Sequence, residues 1–155
     1  MVTVNDYIKK CNFVAAGMLD EQERIVLANE TKIVRLNSEA FTAGLGSDGN
    51  LLINSSKSPV FSGRYTLFTQ ILNPRKIAGT LYDFMETGDF LSNMQLKIQP
   101  SLTKFDIYST GTGGGDKSIF FSNYTNLFGL DPFNTDVLNY EIIYPPLMLY
   151  IKKYL

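Results

Sequence analysis

Histidine and tryptophan are missing from this chain, and cysteine occurs once. Without histidine, the commonest general base near neutral pH and the commonest metal ligand are both gone. The lone Cys11 forms no internal disulfide and builds no thiolate metal site by itself. Its place in a helical pattern reads as a small core position, with a reactive thiol as the alternative. Excess charge of either sign is also lacking: the formal net charge is −1 and the Lys and Arg residues are scattered. No global basic field is therefore available to hold nucleic acid by counterion release. No apolar window reaches the length of a membrane span. The opening MVTVNDYIKKCNF holds Asp6, two lysines and no continuous apolar region, so it is not expected to be a signal peptide. A soluble protein of a reducing compartment is expected, with no cofactor, no metal and no catalytic residues.

What is present suits one α+β domain over residues 1–155. The chain is 45% hydrophobic and 19% charged, enough to build a real core. Aromatic residues make up 13%, all of them Tyr and Phe, which suit half-buried positions and protein interfaces. From about Val4 to Ala43 the apolar residues Val4, Ile8, Cys11, Ala15, Met18, Ile25, Leu36 and Ala40 keep helical spacing, with Thr3 or Asn5 as N-cap. A continuous helix of that length is on the order of 60 Å, longer than a domain of this size needs. Either it breaks near Gly17, giving two core helices, or it projects and finds a partner. Gln22 and Asn29 also interrupt the stripe.

Gly44–Asn50 ends this region with the turn dipeptide Asp48-Gly49, and Leu51-Leu52-Ile53 forms a short strand. Leu67, Phe68, Ile71 and Leu72 make the face of a short helix closed by Asn73-Pro74. The stretch Leu81–Ile98, LYDFMETGDFLSNMQLKI, is the organising centre of the chain. Gly88 supplies backbone freedom, and Thr87 or Asp89 caps a helical turn starting at Phe90. A β-hairpin then runs from Gln95 to Tyr108 around Pro100-Ser101, apolar on one face. Asp131 and Pro132 open a C-terminal tail over 131–155, in which Pro145-Pro146 breaks or kinks a helix into two pieces.

The run Ser109–Lys117, STGTGGGDK, departs from the GxxxxGK[ST] spacing of a phosphate loop and comes after the outer arm of a hairpin. It reads as a partner-contacting loop; a nucleotide site on residues 111–117 with Lys117 is the alternative. Asp83, Glu86 and Asp89 read as turn and cap carboxylates.

METGDFLSNMQLKI resembles a segment of small phage morphogenesis proteins of the head–tail connector, neck and tail-completion type. In that family a long N-terminal helix precedes a Thr-Gly turn, antiparallel strands and a closing helix. Thr87, Gly88, Phe90 and the Ser92-Asn93 pair fall in the matching order. NLFGLD, with Phe128 and Gly129, is similar to an element of related proteins from Bacteroidetes phages, including crAss-like phages. The proline usual shortly before the Thr-Gly has no counterpart here, a departure from the tail-completion branch. The resemblance implies a virion structural protein that acts by assembly as a homo-oligomeric ring. Portal, adaptor or tail proteins would be its neighbours, and DNA would pass a lumen without specific binding. Thr87, Gly88, Asp89, Phe90, Asn93, Phe128, Gly129, Tyr150 and Tyr154 are the expected structural and assembly positions. A soluble adaptor that binds a host protein through the aromatic tail is a further alternative.

Overall fold

The computed structural model describes residues 3–52, 63–83, 88–99, 104–109, 124 and 126–155. Their architecture is α+β: a long N-terminal helix, a two-stranded antiparallel hairpin and a C-terminal helical run. Helix α1 spans Val4–Ala28 and begins at a capping box. The Thr3 hydroxyl accepts the Asp6 N–H at 3.2 Å, and the Asp6 carboxylate accepts the Thr3 N–H at 2.9 Å.

Neither a break near Gly17 nor an unbroken helix to Ala43 is found. The helix is interrupted at Asn29, and α2 continues as Glu30–Thr42. The Asn29 N–H shortens its return to Val26, at 3.1 Å, which deprives the Ile25 carbonyl of its helical partner. The Asn29 side-chain amide replaces that partner at 2.8 Å. A side chain that competes with its own backbone thus interrupts the helix. Gly17 stays helical and serves packing, because a Cβ there would collide with the Tyr150 hydroxyl.

After α2, Gly44 adopts φ +73° and the chain folds through the Asp48-Gly49 turn. The expected strand over 51–53 reduces to an isolated bridge between Leu45 and Leu51, and Ile53 lies outside the described residues. Helix α3 spans Leu67–Leu72, with the Thr66 hydroxyl accepting the Thr69 N–H and Asn73 closing it, as the sequence implies. Helix α4 is the single turn Asp89–Ser92. It starts one residue before the expected Phe90, so Asp89 is its first residue and not its cap. The Gly88 carbonyl accepts the Ser92 N–H at 2.9 Å. Thr87 lies outside the described residues.

Strands β1 (Met94–Gln99) and β2 (Lys104–Ser109) pair antiparallel from Met94 opposite Ser109 to Gln99 opposite Lys104. Met94, Leu96 and Ile107 are buried, as period-two alternation requires. The outer N–H of Leu96 is taken by the Glu30 carboxylate at 3.2 Å, which ties β1 to the start of α2. The Pro100-Ser101 turn lies outside the described residues.

The C-terminal run is α5 (Pro132–Val137), a π-wound segment Leu138–Ile143 and α6 (Tyr144–Tyr154). Asp131 caps α5 through the Asn134 N–H at 2.9 Å, with Pro132 in the first turn. Pro145-Pro146 divides the run by a change of winding and does not end it. The Tyr144 N–H reaches back five residues to the Asn139 carbonyl. Winding of that width removes the four-residue return that a proline ring and its missing N–H would disrupt.

The core lies where α2, the hairpin and the π segment meet. Ile33 and Phe41 are fully buried there, beside Leu52, Leu127, Leu138 and Ile142. Asn37 is buried with them; its amide donates to the Gly129 carbonyl at 2.6 Å.

Candidate assembly surface

Thr87 lies outside the described residues, and the other expected positions fall in separate parts of the fold. Phe90 is buried, and its ring stacks on Phe128 with centroids 6.1 Å apart and planes 25° apart. Phe41 completes the trio, 6.1 Å from Phe90 and 6.4 Å from Phe128. Gly129 sits beside them at φ +126° as the Asn37 acceptor. The NLFGLD element is therefore bolted to the core. Its Asn126 also accepts the Ser47 N–H at 2.8 Å and donates to Asp48 at 2.9 Å. Hydrogen bonds from Asn50 and Asn126 hold the Asp48 carboxyl below its ordinary range. Gly88 has φ +80° and open space where a Cβ would go, so its requirement is conformational. Asn93 is half-buried at the turn into β1, 3.5 Å from the Ser92 hydroxyl.

Tyr150 and Tyr154 belong to a different place. Helix α6 lies antiparallel on α1, with Tyr150 over Gly17 and the Tyr154 ring 5.1 Å from Phe13. This arm is stabilised by Tyr-aromatic contact and close backbone approach, with Val14 buried at its centre. The residues of α1 before Phe13 extend beyond Tyr154. Val4, Tyr7 and Ile8 there are all exposed.

The largest contrast with ordinary helix burial is at α3. Leu67 is 66% exposed, Phe68 68%, Ile71 69% and Leu72 71%. A six-residue helix is too short to hold itself together in water. Its supports lie in the flanking chain. The Tyr65 N–H donates to the Thr80 carbonyl and the Tyr82 N–H to the Gly63 carbonyl, and the Arg64 guanidinium donates to the Gly79 carbonyl at 2.6 Å. Gln70 accepts the Ala78 N–H at 2.8 Å.

Beneath these bonds lies a polar clasp that no sequence pattern announces. Lys76 is only 7% exposed and its ammonium donates to Asp83 at 2.5 Å. The Tyr65 hydroxyl donates to the same carboxylate at 2.8 Å, and the Lys76 ammonium lies 5.1 Å from the Tyr65 ring centre. Burial raises the Tyr65 pKa. At Lys76 burial opposes the charge, but hydrogen bonds with Asp83 and Tyr65 outweigh it and the pKa is raised. The Tyr65 ring meets Tyr82 at 5.0 Å, and Tyr82 meets Tyr124 at 6.3 Å, joining the clasp to the core. Lys76 and Asp83 sit in irregular chain, where periodicity carries no signal.

Among the described residues the arrangement presents apolar surface beside one polar clasp. Among the described residues no three acidic or cysteine side chains are placed to share a metal ion. No described helix is long and apolar enough to cross a membrane. The glycine run 111–117 and Lys117 lie outside the described residues. Comparison with family models, curated proteins and solved structures gave no significant match to this chain.

Proposed function

We propose that this chain is a structural subunit that acts by burying its apolar faces on neighbours in an assembly. The observation that carries this is α3: four large apolar side chains held in solvent on a frame stabilised by the Lys76–Asp83–Tyr65 clasp. Ordering such a frame is costly unless the displayed surface is covered in the working state. The exposed start of α1 and the outer face of the C-terminal run point the same way. The finer reading takes its family from the resemblance of METGDFLSNMQLKI and NLFGLD: a head–tail connector, neck or tail subunit of a phage virion. It works without turnover, beside portal, adaptor or tail proteins, around a lumen that DNA crosses without specific binding. Mass spectrometry of purified particles tests this. The chain is expected there in multiple stoichiometric copies; its absence from particles would overturn the virion reading.

A further inference from the structure

Two exposed apolar faces of this chain carry opposite charge. Over residues 63–83 the charged side chains are Arg64, Arg75, Lys76 and Asp83, three basic minus one acidic, a net of +2. Lys76 and Asp83 are spent on each other, which leaves the exposed Arg64, held on the Gly79 carbonyl, and Arg75 on either side of α3 in the chain. Over residues 131–149 the charged side chains are Asp131, Asp136 and Glu141, with no Lys or Arg, a net of −3. Asp131 is buried as the α5 cap, which leaves Asp136 and Glu141 exposed. They share this segment with the exposed Phe133, Tyr140 and Tyr144, whose two tyrosine rings meet edge-on at 5.3 Å.

We infer that α3 of one copy docks on the outer face of the C-terminal run of the next copy, Leu67, Phe68, Ile71 and Leu72 against Phe133, Tyr140 and Tyr144. This rests on the assembly reading and specifies its contact. Like-with-like docking is disfavoured on both sides: α3 on α3 gathers four arginines, and the C-terminal face on itself gathers four carboxylates. The unlike pairing sets two arginines against two carboxylates at the rim of an apolar patch, the arrangement that gives an interface its register and partner choice. A contact between two different patches is heterologous, so it propagates from copy to copy and either closes a ring or extends a filament. The segment from Phe133 to Tyr144 has twice as many residues as α3, which is about 9 Å long, so the helix fits within it.

Complementation between two variants tests this on the purified full chain. The Phe68→Ser, Ile71→Ser variant loses the α3 face, and the Tyr140→Ser, Tyr144→Ser variant loses the C-terminal face. All four residues are exposed, and circular dichroism checks that the fold is kept. In mass photometry and sedimentation the unaltered protein should associate with rising concentration, and each variant alone should need roughly tenfold more protein or stay monomeric. An equimolar mixture of the variants should form a one-to-one dimer and nothing larger, because each keeps the face the other lacks. Arg75→Glu and Glu141→Lys should each weaken association and, mixed together, restore the association of the unaltered protein, with the two variants alternating. A mixture that stays monomeric where the unaltered protein associates would overturn this pairing and leave assembly through other faces standing. An unaltered protein that stays monomeric at every concentration also overturns the self-contact; the particle composition then decides the assembly reading separately.

Discussion

Phe41 and Phe68 are the same residue type in opposite surroundings, and the difference sets what each does. Phe41 is fully buried among Phe90 and Phe128, so Phe41→Ala should cost about 3–5 kcal/mol in urea unfolding. Phe68→Ala should change stability by no more than about 0.5 kcal/mol, because it leaves no cavity. A large loss at Phe68 would mean its ring is covered in the monomer. At Gly88 the space is open but φ is +80°, so Gly88→Val should destabilise by about 1–3 kcal/mol through backbone strain, and Gly88→Asn by less. The clasp adds a pH signature. Tyr65 and Lys76 both hold their protons more tightly in the folded chain than in the unfolded one. Their contribution is therefore complete below about pH 10 and falls as pH rises through the folded values. Unfolding free energy measured from pH 8 to 11 should decline at the alkaline end, and less so in Tyr65→Phe. An identical decline in that variant would remove Tyr65 from the linkage. Lys76→Met should cost about 1–3 kcal/mol, below a fully buried pair because the Asp83 side chain is 37% exposed.

At the scale of elements, the C-terminal run has two parts with different duties. Leu138 and Ile142 of the π segment are core residues, whereas α6 only overlies α1. Truncation after Asp131 should therefore unfold the chain. Truncation after Tyr144 should keep the cooperative core and strip the cover from Phe13 and Gly17. Circular dichroism with thermal unfolding separates the two, and a folded product of the first truncation would contradict this division. The hairpin, the α3 helix, the Asp131-Pro132 start and the α+β class were all legible, because each rests on local rules: alternation, helical spacing, a proline at the first helical turn. The interruption at Asn29 was harder to place. Gly17 is the weaker helix former, but a tight tertiary contact with Tyr150 overrides its propensity. The run does divide at the proline pair, as expected, but the π winding that precedes it left no sequence signal. Long-range polar pairs such as Lys76–Asp83 leave no periodic trace at all. Of the expected assembly positions, Phe90, Phe128 and Gly129 proved to belong to the core region, while the four α3 residues read only as a helical face. Periodicity identifies which side of a helix is apolar; it does not reveal whether that side is covered.

The described residues form a core with apolar faces displayed around it: the start of α1, α3 and the outer C-terminal run. A chain built this way is expected to gain stability from its neighbours and none from nucleotides. Thermal-shift screening with nucleotides should leave the melting temperature unchanged, and a stabilisation lost in Lys117→Ala would argue for the glycine run as a ligand site instead. The most direct measurement is imaging of the protein in its native assembly at a resolution that separates subunits. Several copies in a closed ring, with the α3 helix of each covered by a neighbour, are the expected result; isolated single copies with α3 in solvent would contradict it.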